Sequence, residues 1–117
     1  MDPHAIVERV ISEYAGLPYA YEPDLQQVAV FDPARGHYLL MVVGWGVGGE
    51  RVHYCLIHVG IRDDTVWIEH DGTEEGVAAD LERAGISRDC IVLAFQRPEM
   101  RIHTGYAVAQ EPRALPR

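Results

Sequence analysis

At 117 residues the chain is long enough for one domain with a single core, and its hydrophobic share of 48% is ordinary for a globular protein. Eighteen acidic residues against ten basic ones give a formal net charge of −8, which opposes unaided approach to a phosphate backbone. All ten basic residues are arginine, which excludes a Walker A lysine, a Schiff-base lysine and a lysine-dependent nuclease site from this chain alone.

No apolar run approaches the ~20 residues that span a bilayer, and the opening "MDPHAIVERV" lacks the apolar core of a secretion signal. A cytoplasmic location with no membrane contact is expected. Asp2 followed by Pro3 reads as an N-cap with proline at the first helical position, and Ile6, Val7, Val10, Ile11 and Tyr14 recur at helical spacing. Gly16 suits a left-handed position after this helix, with Leu17 folding back over Ile11 and Pro18 preventing continuation. A connector, "LPYAYEPD", leads to a different periodicity.

Four stretches then read as consecutive antiparallel strands: "LQQVAVFD" from Leu25, "HYLLMVVGW" from His37, "RVHYCLIHVGI" from Arg51 and "TVWIEHD" from Thr65. The turns between them, "PARG", "GVGG" and "RDD", are short enough for hairpins. Helical spacing returns with Val77, Ala78, Leu81 and Ala84. Thr73 is placed to cap that helix, with Glu74 and Glu75 in its first turn, and Gly85 with Ile86 ends it in a Schellman arrangement over Leu81. Both helices are thus expected to stop by the same device.

"CIVLAFQ" reads as a fifth strand, and "PEMRIHTGYAVA" is expected to add a short turn and a last edge strand. The predicted architecture is one α+β domain over residues 1–109, with an N-terminal helix, a four-strand antiparallel meander, a second helix and one or two further strands. Residues 110–117 are expected to fray.

Gly44, Gly46 and Gly49 have the G-x-G-x-x-G spacing of a dinucleotide loop, but a strand-like run follows where that loop needs a helix N-terminus. A hairpin is the better reading. His37, His53, His58, His70 and His103 are scattered without metal-ligand spacing, with His53 and Cys55 on one strand face and His58 on the other. Cys55 and Cys90 are expected as reduced, buried thiols, neither one a nucleophile nor joined in a disulfide. Asp63, Asp64, Glu69, Asp71, Glu74 and Glu75 show no fixed acid-base or metal spacing and read as turn and cap residues. No catalytic residue, metal or cofactor is assigned. The locally basic stretch "RPEMRIH" is the candidate partner-binding site, through Arg97, Glu99, Arg101 and His103, since arginine is enriched at interface hot spots.

Several stretches together, "DPARGHYLLMVVGW", "RVHYCLIHVGI", "VWIEHDGTEEGVAADL", "ISRDCIVLAF" and "MRIHTGYAVA", resemble the XisI family of fdxN element excision controlling factors. The resemblance runs from the first helix to about Ala109. It implies an XisI-like α+β domain and a role in programmed, site-specific excision of a DNA element during heterocyst differentiation, alongside a companion XisH and a separate recombinase. It transfers no catalytic residues. This chain departs from the pattern at Gly60, where an acidic residue is expected, and at Phe95-Gln96, where Phe-His is expected.

Three readings follow. The first is a non-enzymatic accessory factor acting through contacts with an XisH-like protein, a role compatible with antitoxin-like restraint of a nuclease-type partner. The second is a direct DNA-binding directionality factor using Arg97, Arg101, Arg51 and Arg62, which the net charge disfavours. The third is a small-ligand binder or enzyme built around His58, Trp67 and the acidic loops. An unpaired sheet edge would be relieved by a homo-oligomer or a heteromer alike.

Overall fold

The computed structural model describes residues 2–19 and 22–109, so residues 20–21 of the connector and the tail 110–117 lie outside the described residues. Helix α1 spans Pro3–Ala15 and opens as its sequence dictates: Asp2 is extended, and its carboxylate accepts the His4 N–H at 3.0 Å. Val7, Val10 and Ile11 form its buried stripe.

The helix ends differently from expectation. Gly16 is right-handed, at φ −79°, and Leu17 is 60% exposed rather than folded over Ile11. The terminal carbonyls are paired by right-handed turns, Gly16 N–H donating to Ser12 O at 3.1 Å and Leu17 N–H to Tyr14 O at 3.0 Å, and the Gln27 side-chain amide adds a donor to Tyr14 O and to Leu17 O, each at 2.8 Å. No left-handed return is then required to pair them.

The strands are β1 (Leu25–Asp32), β2 (His37–Trp45), β3 (Arg51–Arg62) and β4 (Thr65–Asp71), joined as an antiparallel meander that matches the predicted runs, except that β3 takes in Arg62 from the expected turn. The glycine-rich stretch is indeed a hairpin: Gly46 N–H donates to Glu50 O and Gly49 N–H to Gly46 O, each at 2.9 Å. At Gly44 a Cβ would run into the Asp24 carbonyl oxygen, so only glycine lets the start of β1 lie this close.

Helix α2 covers Val77–Arg83, starting later than a Thr73 cap would place it. Asp71, at the end of β4, supplies the cap from a distance: its carboxylate accepts the Val77 N–H at 2.7 Å and the Thr73 N–H at 3.0 Å. Thr73 Oγ1 in turn accepts the Gly76 N–H at 3.1 Å. Glu74 and Glu75 therefore precede the helix instead of forming its first turn. The far end matches prediction, with Ile86 N–H donating to Leu81 O and Gly85 N–H to Glu82 O, each at 3.0 Å, and Gly85 at φ +117°.

Strand β5 is only Ile91–Leu93, shorter than "CIVLAFQ", and it pairs with β4 in parallel, with α2 in the crossover between them. The sheet is mixed, in the order β1-β2-β3-β4-β5. The expected last edge strand is instead a 3₁₀ helix, Pro98–His103. After it the Ala107 N–H reaches Ile91 O at 2.8 Å, so the returning chain lies along β5.

Helices α1 and α2 share one face of the sheet. Val7, Ile11, Val77 and Leu81 meet Tyr38, Leu40, Val42, Ile57 and Val59 in a single core, all at 0% exposure. The helices cover this inner face, and among the described residues no helix covers the opposite face over β1–β3.

Candidate functional site

Of the predicted partner-binding residues, Arg97 caps the 3₁₀ helix and Glu99, Arg101 and His103 lie within it, and their side chains meet different surroundings. Arg97 and Glu99 are exposed and paired with each other at 2.7 Å, a contact that holds the Glu99 carboxyl below its usual range. His103 is exposed as well. Arg101 turns inward to 0% exposure. Its guanidinium donates to the carbonyls of Gln96 at 3.0 Å, Ala94 at 3.0 Å and Ala109 at 2.6 Å, and lies 5.7 Å from the Trp67 ring. One planar fork thereby ties three points of the C-terminal segment to the sheet.

Trp67 is held from a second side by Arg62, whose guanidinium is 4.7 Å from the ring and 3.2 Å from Glu69 Oε2. Arg62 is thus engaged within the fold. Arg51, at the other end of β3, lies 5.1 Å over Trp45 and donates to Gly44 O at 3.3 Å. The basic residues considered for DNA contact are therefore dispersed: one is buried, two stack on tryptophans, and Arg97 carries its own carboxylate.

The histidines gather where the sequence suggested scatter. Leu40 faces Ile57 but Met41 faces Cys55, so Leu56 is an extra residue in β3. This bulge resets the alternation, and His53, Cys55 and His58 share the outer face, correcting their assignment to opposite faces. A second register shift, after His58, sets His58 opposite His70 and leaves Glu69 as the extra residue. His37 Nδ1 and His58 Nε2 meet at 3.1 Å, one ring donating to the other. Burial and the neighbouring His37 push the His58 pKa below its ordinary value.

Beside the histidines on this outer face lie Val28 and Val30 of β1, 39% and 48% exposed, and Trp45, 54% exposed. Leu39, Met41 and Val43 of β2 are half-buried between them and do not join the core. The run "HYLLMVVGW" carried the available signal, since apolar residues on both faces of a strand mean that both faces seek cover. The outer face is thus an apolar field on β1 and β2 bordered by histidine and arginine on β3.

Elsewhere the chemistry is internal. Cys55 and Cys90 are free, half-buried thiols; burial pushes Cys55 up, and its Sγ sits 3.2 Å from Ile57 O. A concavity of about 430 Å³ between α1 and α2 is lined by Arg9, Glu13, Tyr14, Asp80 and Arg83. In it the Tyr14 hydroxyl donates to Asp80, and burial drives the tyrosine pKa up. Among the described residues no group of three or more His, Cys, Asp or Glu is arranged to hold a metal ion, and no helix is long and apolar enough to cross a membrane.

Comparison with known proteins gives consistent results. The family model described as "XisI protein" matches residues 2–108. A crystal structure of a XisI-like protein from Anabaena variabilis superposes with a TM-score of 0.80 at 33% identity, covering 91% of this chain and 95% of that one. A second crystal structure, of the fdxN element excision controlling factor XisI from the same organism, gives a TM-score of 0.72 at 28% identity, covering 92% of this chain and 100% of that one. No curated protein matches the chain significantly.

Proposed function

The chain belongs to the XisI family, and from that membership we propose that it is a cytoplasmic accessory factor for excision of an fdxN-type DNA element. It acts without catalysis, by binding an XisH-like protein, while a separate recombinase carries out strand exchange. The observation that carries this reading is the outer sheet face, where Val28, Val30 and Trp45 stand exposed beside half-buried Leu39, Met41 and Val43. Contiguous exposed apolar surface of this kind is typical of protein contact sites. The net charge of −8 and the dispersal of Arg51, Arg62, Arg97 and Arg101 argue against a phosphate-binding surface on this chain alone.

Co-expression with the XisH-like protein of the same genome tests it. A complex that survives size exclusion at low and moderate salt is expected. Failure to co-purify, combined with salt-sensitive retardation of element-border DNA by this chain alone, would replace the reading with a directionality factor that binds DNA itself.

A further inference from the structure

Resting on the reading above, we propose that the docking surface is the outer face of β1–β3 and that its occupant is a partner protein with an apolar centre and an acidic rim. Two observations select this occupant.

The first is charge. His37, His53 and His58, half of the chain's six histidines, fall on this face together with Arg51 and Arg62, and His70 of β4 stands beside it opposite His58. Its register positions include two carboxylates, Asp32 and Glu69, and each is already tied to an arginine, Arg35 or Arg62, at 3.2 Å. Asp24 also lines the concavity that Gln26, Val43, Trp45 and Arg51 form at one end, so on a protein of net charge −8 this is a surface where arginines and histidines outnumber carboxylates. An acidic rim on the partner finds donors here and repulsion over the rest of the molecule. A second copy of this chain, docked face to face, would set histidines and arginines against their own counterparts.

The second is area. Three strands at ~4.8 Å spacing and eight residues at ~3.3 Å rise give a field of roughly 400 Å². That is about half of the ~800 Å² each side contributes to a standard interface. Two flat copies would fall short of a stable dimer. A partner that fills this field and extends past it, over the β2–β3 hairpin and along the β1 edge, which pairs with no further strand among the described residues, makes up the difference. Nucleic acid fits poorly, because its interfaces are polar and matched to phosphate, whereas the centre here is Val28, Val30, Met41 and Val43.

The test is titration of the purified XisH-like protein with the wild-type chain and with Val30→Glu, Trp45→Glu, Arg51→Glu and a helix-face control, Arg9→Glu. Each variant is first checked for an unchanged thermal midpoint and circular dichroism spectrum. Val30→Glu and Trp45→Glu are expected to weaken binding at least tenfold, Arg51→Glu several-fold with a shallower salt dependence, and Arg9→Glu less than twofold. A wild-type complex indifferent to the outer-face variants overturns the docking surface while leaving the proposed function intact. No wild-type complex at all overturns the proposed function and this inference with it. Light scattering and gel shifts complete the set: outer-face variants that dissolve a homodimer or release DNA, with partner binding unchanged, assign the face to those occupants and overturn the proposal.

Discussion

Replacing Arg101 by alanine removes a fully buried guanidinium that serves the carbonyls of Ala94, Gln96 and Ala109 and stacks on Trp67. Hydrogen bonds from a charged donor contribute ~1.5–3 kcal/mol each, so three set a gross figure of about 5 kcal/mol at the lower end. Desolvation of the guanidinium offsets part of this, and the freed carbonyls regain water if the segment after Leu93 peels from the sheet. The net loss worked from these terms is about 3 kcal/mol, a fall in thermal midpoint of roughly 10–15 °C for a chain of this size. Arg101→Lys recovers less than half, because one ammonium cannot span three carbonyls arranged for a planar fork. Arg97→Ala, whose side chain is 81% exposed, leaves the midpoint within roughly 2 °C. Differential scanning calorimetry with urea titration measures all three. An Arg101→Ala protein as stable as Arg97→Ala would refute the assignment of Arg101 to the fold.

Other consequences follow from the same contacts. Gly44→Ala drives a methyl group into the Asp24 carbonyl and should cost about 2–4 kcal/mol, whereas Gly16→Ala, with its neighbours at an ordinary 3.6 Å, should be neutral or stabilise by up to about 1 kcal/mol; paired urea melts distinguish them. Asp71→Ala strips the cap from α2 and should cost about 1–2 kcal/mol, read as lost helical ellipticity and faster amide exchange at Val77. His58 titrates below its ordinary value of 6.5 in the fold, where it faces His37, Glu69 and His70, so the unfolded chain takes up the proton first. That contribution to stability is present above about pH 6.5 and declines as the pH falls below it. His58→Gln should therefore flatten the dependence of the urea midpoint on pH between 7 and 5, and an unchanged slope would contradict the assignment.

The meander was readable because its strand ends coincide with strong local turn chemistry, such as "PARG" after Asp32 and the Asp63-Asp64 pair after Arg62. The Schellman end of α2 was readable for the same reason. What escaped depends on contacts distant in sequence. Gln27 finishes α1 from the next element, and Asp71 caps α2 from six residues upstream. The bulge at Leu56, which moves His58 onto the face of His53 and Cys55, is a matter of pairing register with no marker such as glycine at the site. Arg101 sits between Met100 and Ile102, both exposed, in a locally basic stretch that reads as a contact surface. Its burial becomes visible only once the carbonyls of Ala94 and Ala109 are brought to the same place.

Hydroxyl-radical footprinting of the complex with the XisH-like protein tests most directly whether this chain works through a protein contact made by its outer sheet face. Trp45, Met41 and His53 should lose labelling on binding, while Phe95 and Met100, exposed on the C-terminal segment, should label as in the free chain. Undiminished labelling at Trp45, Met41 and His53 in a verified complex, with protection on α1 or the C-terminal segment instead, would contradict it.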